Sequence, residues 1–166
     1  MSVLLLAAGV ATVGAIVWRS SARRFPLAGV VDPLVVADLA ASFPPGEDDF
    51  IRAAWEYAGA AIRYEAVGSI LLFSDDSVRC QRCLLPMEVA RRGRANCFGK
   101  AVLLASLLRT RLPPERVFVA VGEVTAPDIG GHSWVVVRRQ GEWYLLEATK
   151  QPGAWRRASE LAHAYH

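Results

Sequence analysis

Hydrophobic and polar positions divide the chain into stretches of different period. Residues 3–18 carry no charge, and apolar side chains fall on every face of the helix they would form, unlike the one-sided stripe of an amphipathic helix. From residue 19 to 47 no period holds, because Pro26, Pro33, Pro44, Pro45 and Gly46 interrupt it, with room for one short helix over 32–42. Phe50, Ile51, Ala54, Trp55, Ala58 and Ile62 then recur at helical spacing behind Asp48-Asp49, acids suited to the positive end of the dipole. That helix is expected to end between 64 and 68. A short apolar run follows at 69–73, a helical turn at Pro86, and a loop through Arg91-Arg92-Gly93-Arg94. Asn96 is a good N-cap for a helix without a breaker until Pro113, and its apolar residues are broad enough to predict a largely buried helix. Three β-type runs end the pattern, at 117–124, 133–138 and 143–148. The last two are joined by Arg139-Gln140-Gly141-Glu142, a hairpin signal. A helix packed on an antiparallel sheet is an α+β arrangement.

The first stretch changes the picture of where the chain resides. As a helix, residues 1–18 would reach about 27 Å, slightly short of a bilayer's hydrocarbon core. Trp18 and the arginines at 19, 23 and 24 fit an interfacial anchor, and the positive-inside rule then sets the globular part in the cytoplasm. A cleavable signal peptide is the rival, weakened because no Lys or Arg precedes the apolar run. The expected organisation is a transmembrane anchor (1–18), a juxtamembrane segment (19–47) and one α+β domain (48–166), a size that buries a single core. The net charge of +3 comes from scattered basic residues not interleaved with aromatics, which argues against nucleic acid as a partner.

Candidate chemistry lies at the ends of the later elements. Cys97 falls at the first helical position, where unpaired N–H groups and the dipole favour a thiolate. Taken alone it is an ordinary buried cysteine. His132 opens one hairpin strand and Glu147 closes the other. With a two-residue loop, 132 lies opposite 149 and 134 opposite 147; with a four-residue loop, 132 lies opposite 147. In both registers His132, Trp134 and Val136 share a face with Trp143, Leu145 and Glu147. Glu147 is therefore a direct or diagonal neighbour of His132, able to orient the ring and stabilise its imidazolium.

These residues carry a family resemblance. The run 96–104 with Leu107-Leu108-Arg109 resembles the nucleophile helix of the transglutaminase-like superfamily. Gly131-His132-Ser133-Trp134-Val135 and 141–149 resemble its histidine and acid strands, and the helix over 51–64 resembles its upstream helix. The likeness implies a papain-like core and a Cys97, His132, Glu147 triad, with the Cys97 backbone N–H as an oxyanion donor. The family usually has Asp where this chain has Glu147. Members include peptidases, amidases and cross-linking enzymes, and some are inactive. The expectation is a cysteine hydrolase acting on a peptide or protein amide, with no cofactor and no metal. The alternative is an inactive subunit docked on a membrane protein complex.

Other candidates are weaker. Cys80-Gln81-Arg82-Cys83 lacks the partners of a zinc site and reads as a local disulfide or two thiols. His163 and His166 read as a solvated tail. Lys100, one turn after Cys97, is placed to lower the thiol's pKa further, but reads first as a lysine that keeps its head at the surface.

Overall fold

A computed structural model describes residues 23–26, 30–66, 71–73, 77–80, 83–124, 130–149 and 155–157. In chain order the elements are β1 (Arg23–Pro26), a 3-10 turn (Leu34–Val36) running into α1 (Ala37–Ala41), and α2 (Glu47–Glu56), which continues into a π-helical turn at Tyr57–Ala61. Next come β2 (Arg63–Tyr64), β3 (Leu71–Phe73), β4 (Ser77–Cys80), α3 (Pro86–Arg92), β5 (Arg94–Ala95) and α4 (Cys97–Arg109). The chain then enters β6 (Val117–Val124), β7 (Gly130–Arg139), β8 (Glu142–Leu146) and β9 (Trp155–Arg157).

The last four strands form an antiparallel sheet in sequence order, and α4 packs against it. Every residue of α4 from Phe98 to Leu108 is buried. Its Leu103, Leu104, Leu107 and Leu108 share one core with Val117, Val135, Val137 and Leu146 of the sheet and with Phe50, Ile51 and Ala54 of α2. This apolar burial is the main force assembling the layers. At the far end of α2, Glu47 takes both arms of Arg116 at 2.6 and 3.1 Å, and Asp48 pairs with Arg139. These exposed pairs fix orientation more than they add stability.

Gln140 (φ 50°) and Gly141 (φ 86°) form the two-residue turn of the β7–β8 hairpin, the left-handed pair that matches strand twist. Val135 faces Leu146 and Val136 faces Leu145, which selects the register with His132 opposite 149 and Trp134 opposite Glu147.

Three expectations shift. The α2 helix does not run smoothly to 64, because the π-turn ends it at Ala61 and β2 follows. Arg91 and Arg92 belong to α3, which stops at Gly93 in the left-handed conformation (φ 65°), and Arg94-Ala95 forms a strand parallel to Arg63-Tyr64. The segment 19–47 was expected to stand apart from the domain, but from Val30 onward it packs with it. Val36 and Ala40 are in the main core, Asp32 N–H donates to Ser106 Oγ at 3.1 Å, and Arg111 donates to the carbonyls of Ala40, Phe43 and Pro44. The anchor expected at 1–18 and the histidines at 163 and 166 lie outside the described residues. Among the described residues no helix is long and apolar enough to cross a membrane.

Candidate active site

Asn96 starts the site. Its backbone is extended (ψ −176°) and its side-chain oxygen accepts from Gly99 N–H at 3.0 Å, so α4 begins with Cys97 in its first turn. The two-residue pairing of β5 with β2 holds the approach: Arg63 N–H donates to Gly93 O and Glu65 N–H to Ala95 O, both at 2.9 Å. A Cβ on Gly99 would stand 2.8 Å from Ala95 Cβ and 3.2 Å from Val89 Cγ2, so only glycine lets α3 and β5 approach α4 this closely.

Cys97 is the free cysteine among the described residues and is half-buried. His132 reaches it from β7, its ring close enough to interact with both the thiol and Glu147. On the Glu147 side, His132 Nε2 donates to Oε2 at 2.5 Å. The second carboxylate oxygen, Oε1, accepts from the Thr149 backbone N–H at 2.7 Å and from the Thr149 hydroxyl. Trp134 stacks beside the imidazole with ring centres 5.9 Å apart, and Trp55 Nε1–H donates to the Glu147 carbonyl at 2.8 Å. The site is thereby tied to β7, β8, α2 and α4 at once.

Charge follows geometry. Burial pushes the Cys97 thiol up, but the hydrogen bond and charge of His132, with the N–H groups of Ser133 and Phe98, bring it below its ordinary value. Burial likewise pulls His132 down, yet its bonds to Cys97 and Glu147 win and raise it to about 9. Glu147, 2% exposed, is raised by burial and lowered further by His132 and both Thr149 donors, so it stays ionised. The set is arranged to hold thiolate, imidazolium and carboxylate together, the state from which sulfur attacks an electrophile.

The three residues singled out in sequence are therefore adjacent. Thr149, Trp55 and Trp134 had no role assigned to them, although the two-residue spacing of Glu147 and Thr149 permits the side-chain-to-backbone turn they form. Lys100 corrects the sequence reading. It is 1% exposed, and its Nζ donates to the carbonyls of Gly59 at 3.0 Å and Ile62 at 2.8 Å. With α4 buried on all sides, it has no surface to reach. Of the CxxC, Cys83 is buried and disulfide-bonded. Among the described residues no group of three or more His, Cys, Asp or Glu is placed to hold a metal ion.

No family model matches the sequence, and no curated protein matches it significantly. Among solved structures, Legionella pneumophila LapG matches with a TM-score of 0.50 at 13% identity, over 85% of this chain and 83% of that one. Its calcium-bound form gives 0.46 at 15% identity, over 82% and 81%, and its EGTA-treated form 0.48 at 14%, over 85% and 81%. At such identities the likeness concerns the fold, and the argument rests on the first of the three. The mixed helix-and-sheet architecture built around α4 is thus one that this chain shares with LapG.

Proposed function

We propose that the domain is a cysteine hydrolase, a peptidase or amidase, that cleaves a peptide or protein amide through Cys97, His132 and Glu147. The observation that carries this reading is the 2.5 Å bond from His132 Nε2 to Glu147 Oε2, behind a ring whose interaction with Cys97 brings that thiol below its ordinary value. In this mechanism the Cys97 thiolate attacks the carbonyl carbon, and the Cys97 backbone N–H donates to the oxyanion that develops. His132, held as imidazolium by Glu147, gives its proton to the leaving amine. It then takes a proton from water, which attacks the thioester and releases Cys97. Water is the proposed second substrate because a domain this small leaves little room for a separate acceptor-amine site.

The fold shared with LapG, a transglutaminase-like cysteine protease, supports the choice of a peptidase over unrelated thiol chemistry. Membrane tethering through residues 1–18 is part of the proposal. The arginines after Trp18 favour a cytoplasmic domain, whereas the disulfide at Cys83 is a bond of oxidising compartments. Protease protection of the full chain in sealed vesicles decides between the two sides.

The central test is alkylation of Cys97 by iodoacetamide, located by mass spectrometry. A working triad makes Cys97 react well below pH 8, and His132→Ala reduces the reaction to that of an ordinary thiol. If wild-type Cys97 reacts like a free cysteine and the variant changes nothing, the domain is not this enzyme, and the docking-subunit alternative takes its place.

A further inference from the structure

Lys100 is a buried charge that the mechanism above does not use. Its ammonium lies in the first turns of α4, beside the apolar core, and its two bonds go to the neutral carbonyls of Gly59 and Ile62. Those carbonyls are left over where the π-turn ends, and a lysine is one way to cap them. A cap does not require a full charge, however, because a neutral amide or a water donates equally well to a carbonyl. Burying an ammonium is costly unless an anion offsets it, and among the described residues no carboxylate lies at ion-pair distance from Nζ.

Cys97 lies one helical turn away. Lys100 follows it by three positions on α4, a spacing that brings side chains to one face. Burial lowers Lys100 to about 8, and the charge of Glu147 works against that fall. Taken alone, thiolate, imidazolium and carboxylate carry one net negative charge in a site closed to water on the Glu147 side. With Lys100 the four groups sum to zero.

We propose that Lys100 is a positioning residue of the triad, the buried counter-charge that lets Cys97, His132 and Glu147 coexist as thiolate, imidazolium and carboxylate. This rests on the reading of Cys97 as nucleophile. The lysine also braces the site mechanically. Ile62, whose carbonyl it holds, leads directly into β2, and β2 pairs with the β5 strand that delivers Asn96 and Cys97.

Lys100→Gln separates charge from bracing, since its amide can still donate to a carbonyl. Lys100→Arg keeps the charge. In the full chain, iodoacetamide alkylation of Cys97 is followed from pH 5 to 10. Loss of the charge raises the midpoint of thiolate formation, so Lys100→Gln slows the reaction at pH 7 by roughly tenfold. Lys100→Arg stays within about threefold of wild type. Equal midpoints in wild type and a folded Lys100→Gln overturn the proposal and leave Lys100 a core brace. A second measurement needs no change at Lys100. By linkage, Cys97→Ser and Glu147→Gln must each weaken the lysine's hold on its own proton, read from the titration of the Lys100 ¹⁵Nζ signal. An unchanged titration in both variants also overturns it. Failure of the parent reading looks different: wild-type Cys97 would then show no enhanced reactivity for Lys100 to influence.

Discussion

Glu147 Oε2 lies 2.5 Å from His132 Nε2 although the two residues are not opposite one another in the hairpin. The β7–β8 register puts Trp134 across from Glu147 and position 149 across from His132, so the contact runs diagonally. The methylene that glutamate has beyond aspartate is what spans that diagonal. Glu147→Asp is therefore not conservative here. It withdraws the carboxylate by about one bond length, ~1.5 Å, and the short bond to His132 opens. Glu147→Gln keeps the length and removes the charge. Both variants are expected to slow Cys97 alkylation at pH 6.5 by roughly tenfold or more. In a peptide-hydrolysis assay Glu147→Gln is expected to lose on the order of 10³–10⁴. An Asp variant with wild-type rates would mean that the diagonal reach is irrelevant.

Thr149 fixes the other oxygen of the same carboxylate through its backbone N–H and its hydroxyl. Thr149→Val removes the hydroxyl and leaves the N–H, so Glu147 is freer to turn from His132. The expected loss is on the order of tenfold in Cys97 alkylation, with Thr149→Ser near wild type. This corresponds to about 1.5 kcal/mol for one hydrogen bond to a charged group.

The pH dependence has two parts. Hydrolysis should follow a bell: it rises as the Cys97 thiolate forms, below the usual thiol range, and falls near pH 9 as His132 loses the proton meant for the leaving group. Alkylation needs no leaving-group proton and should show only the rising limb. Stability carries opposing signs from three groups, of which Cys97, lowered in the fold, adds stability as pH rises toward the usual thiol range. His132 is raised to about 9, so its contribution is complete below about pH 6.5 and is lost as pH climbs through 9. Lys100 is lowered to about 8 by burial, so the fold gains as pH passes from about 8 to 10.5. Because Cys97 and His132 oppose one another below pH 9, the clean signal is that of Lys100: from pH 8 to 10.5 the urea midpoint of the wild type is expected to gain on that of Lys100→Gln.

The parts of the fold written in long periods were legible in the sequence. The α4 helix, its Asn96 cap and the hairpin that brings His132 and Glu147 to one face follow from apolar spacing and turn residues. The pieces that complete the site are too short to carry a period. β2 and β5 are two residues each, and their pairing is set by backbone bonds from Arg63 and Glu65 rather than by any pattern of side chains. The π-turn at Tyr57–Ala61 keeps the apolar spacing of the helix before it, so Ala58 and Ile62 gave no sign of it. Lys100 is hidden for a different reason: a charged side chain is ordinarily assigned to the surface, and no sequence pattern marks the Gly59 and Ile62 carbonyls that receive it.

Gly99 ties this local reading to a stability measurement. It sits in the first turn of α4, where glycine is normally a poor choice because it loses more backbone freedom than alanine on folding. On propensity alone Gly99→Ala should stabilise the helix. The contacts argue the opposite: the new methyl would stand 2.8 Å from Ala95 Cβ and 3.2 Å from Val89 Cγ2, and both neighbours are buried side chains on short, constrained elements. Ala95 belongs to the strand pair that delivers Cys97, so relief must come from moving that strand or the start of α4. The expected net effect is destabilisation by about 1–3 kcal/mol, as for overpacking in a filled core. Displacement of Cys97 from His132 should also slow alkylation. Denaturant unfolding measures the first effect and iodoacetamide kinetics the second. Ala95→Gly introduced with Gly99→Ala should recover much of the reactivity by removing the methyl that the new one meets. A more stable Gly99→Ala with unchanged Cys97 kinetics would show that α3 and β5 are not held against the nucleophile helix as closely as these distances require.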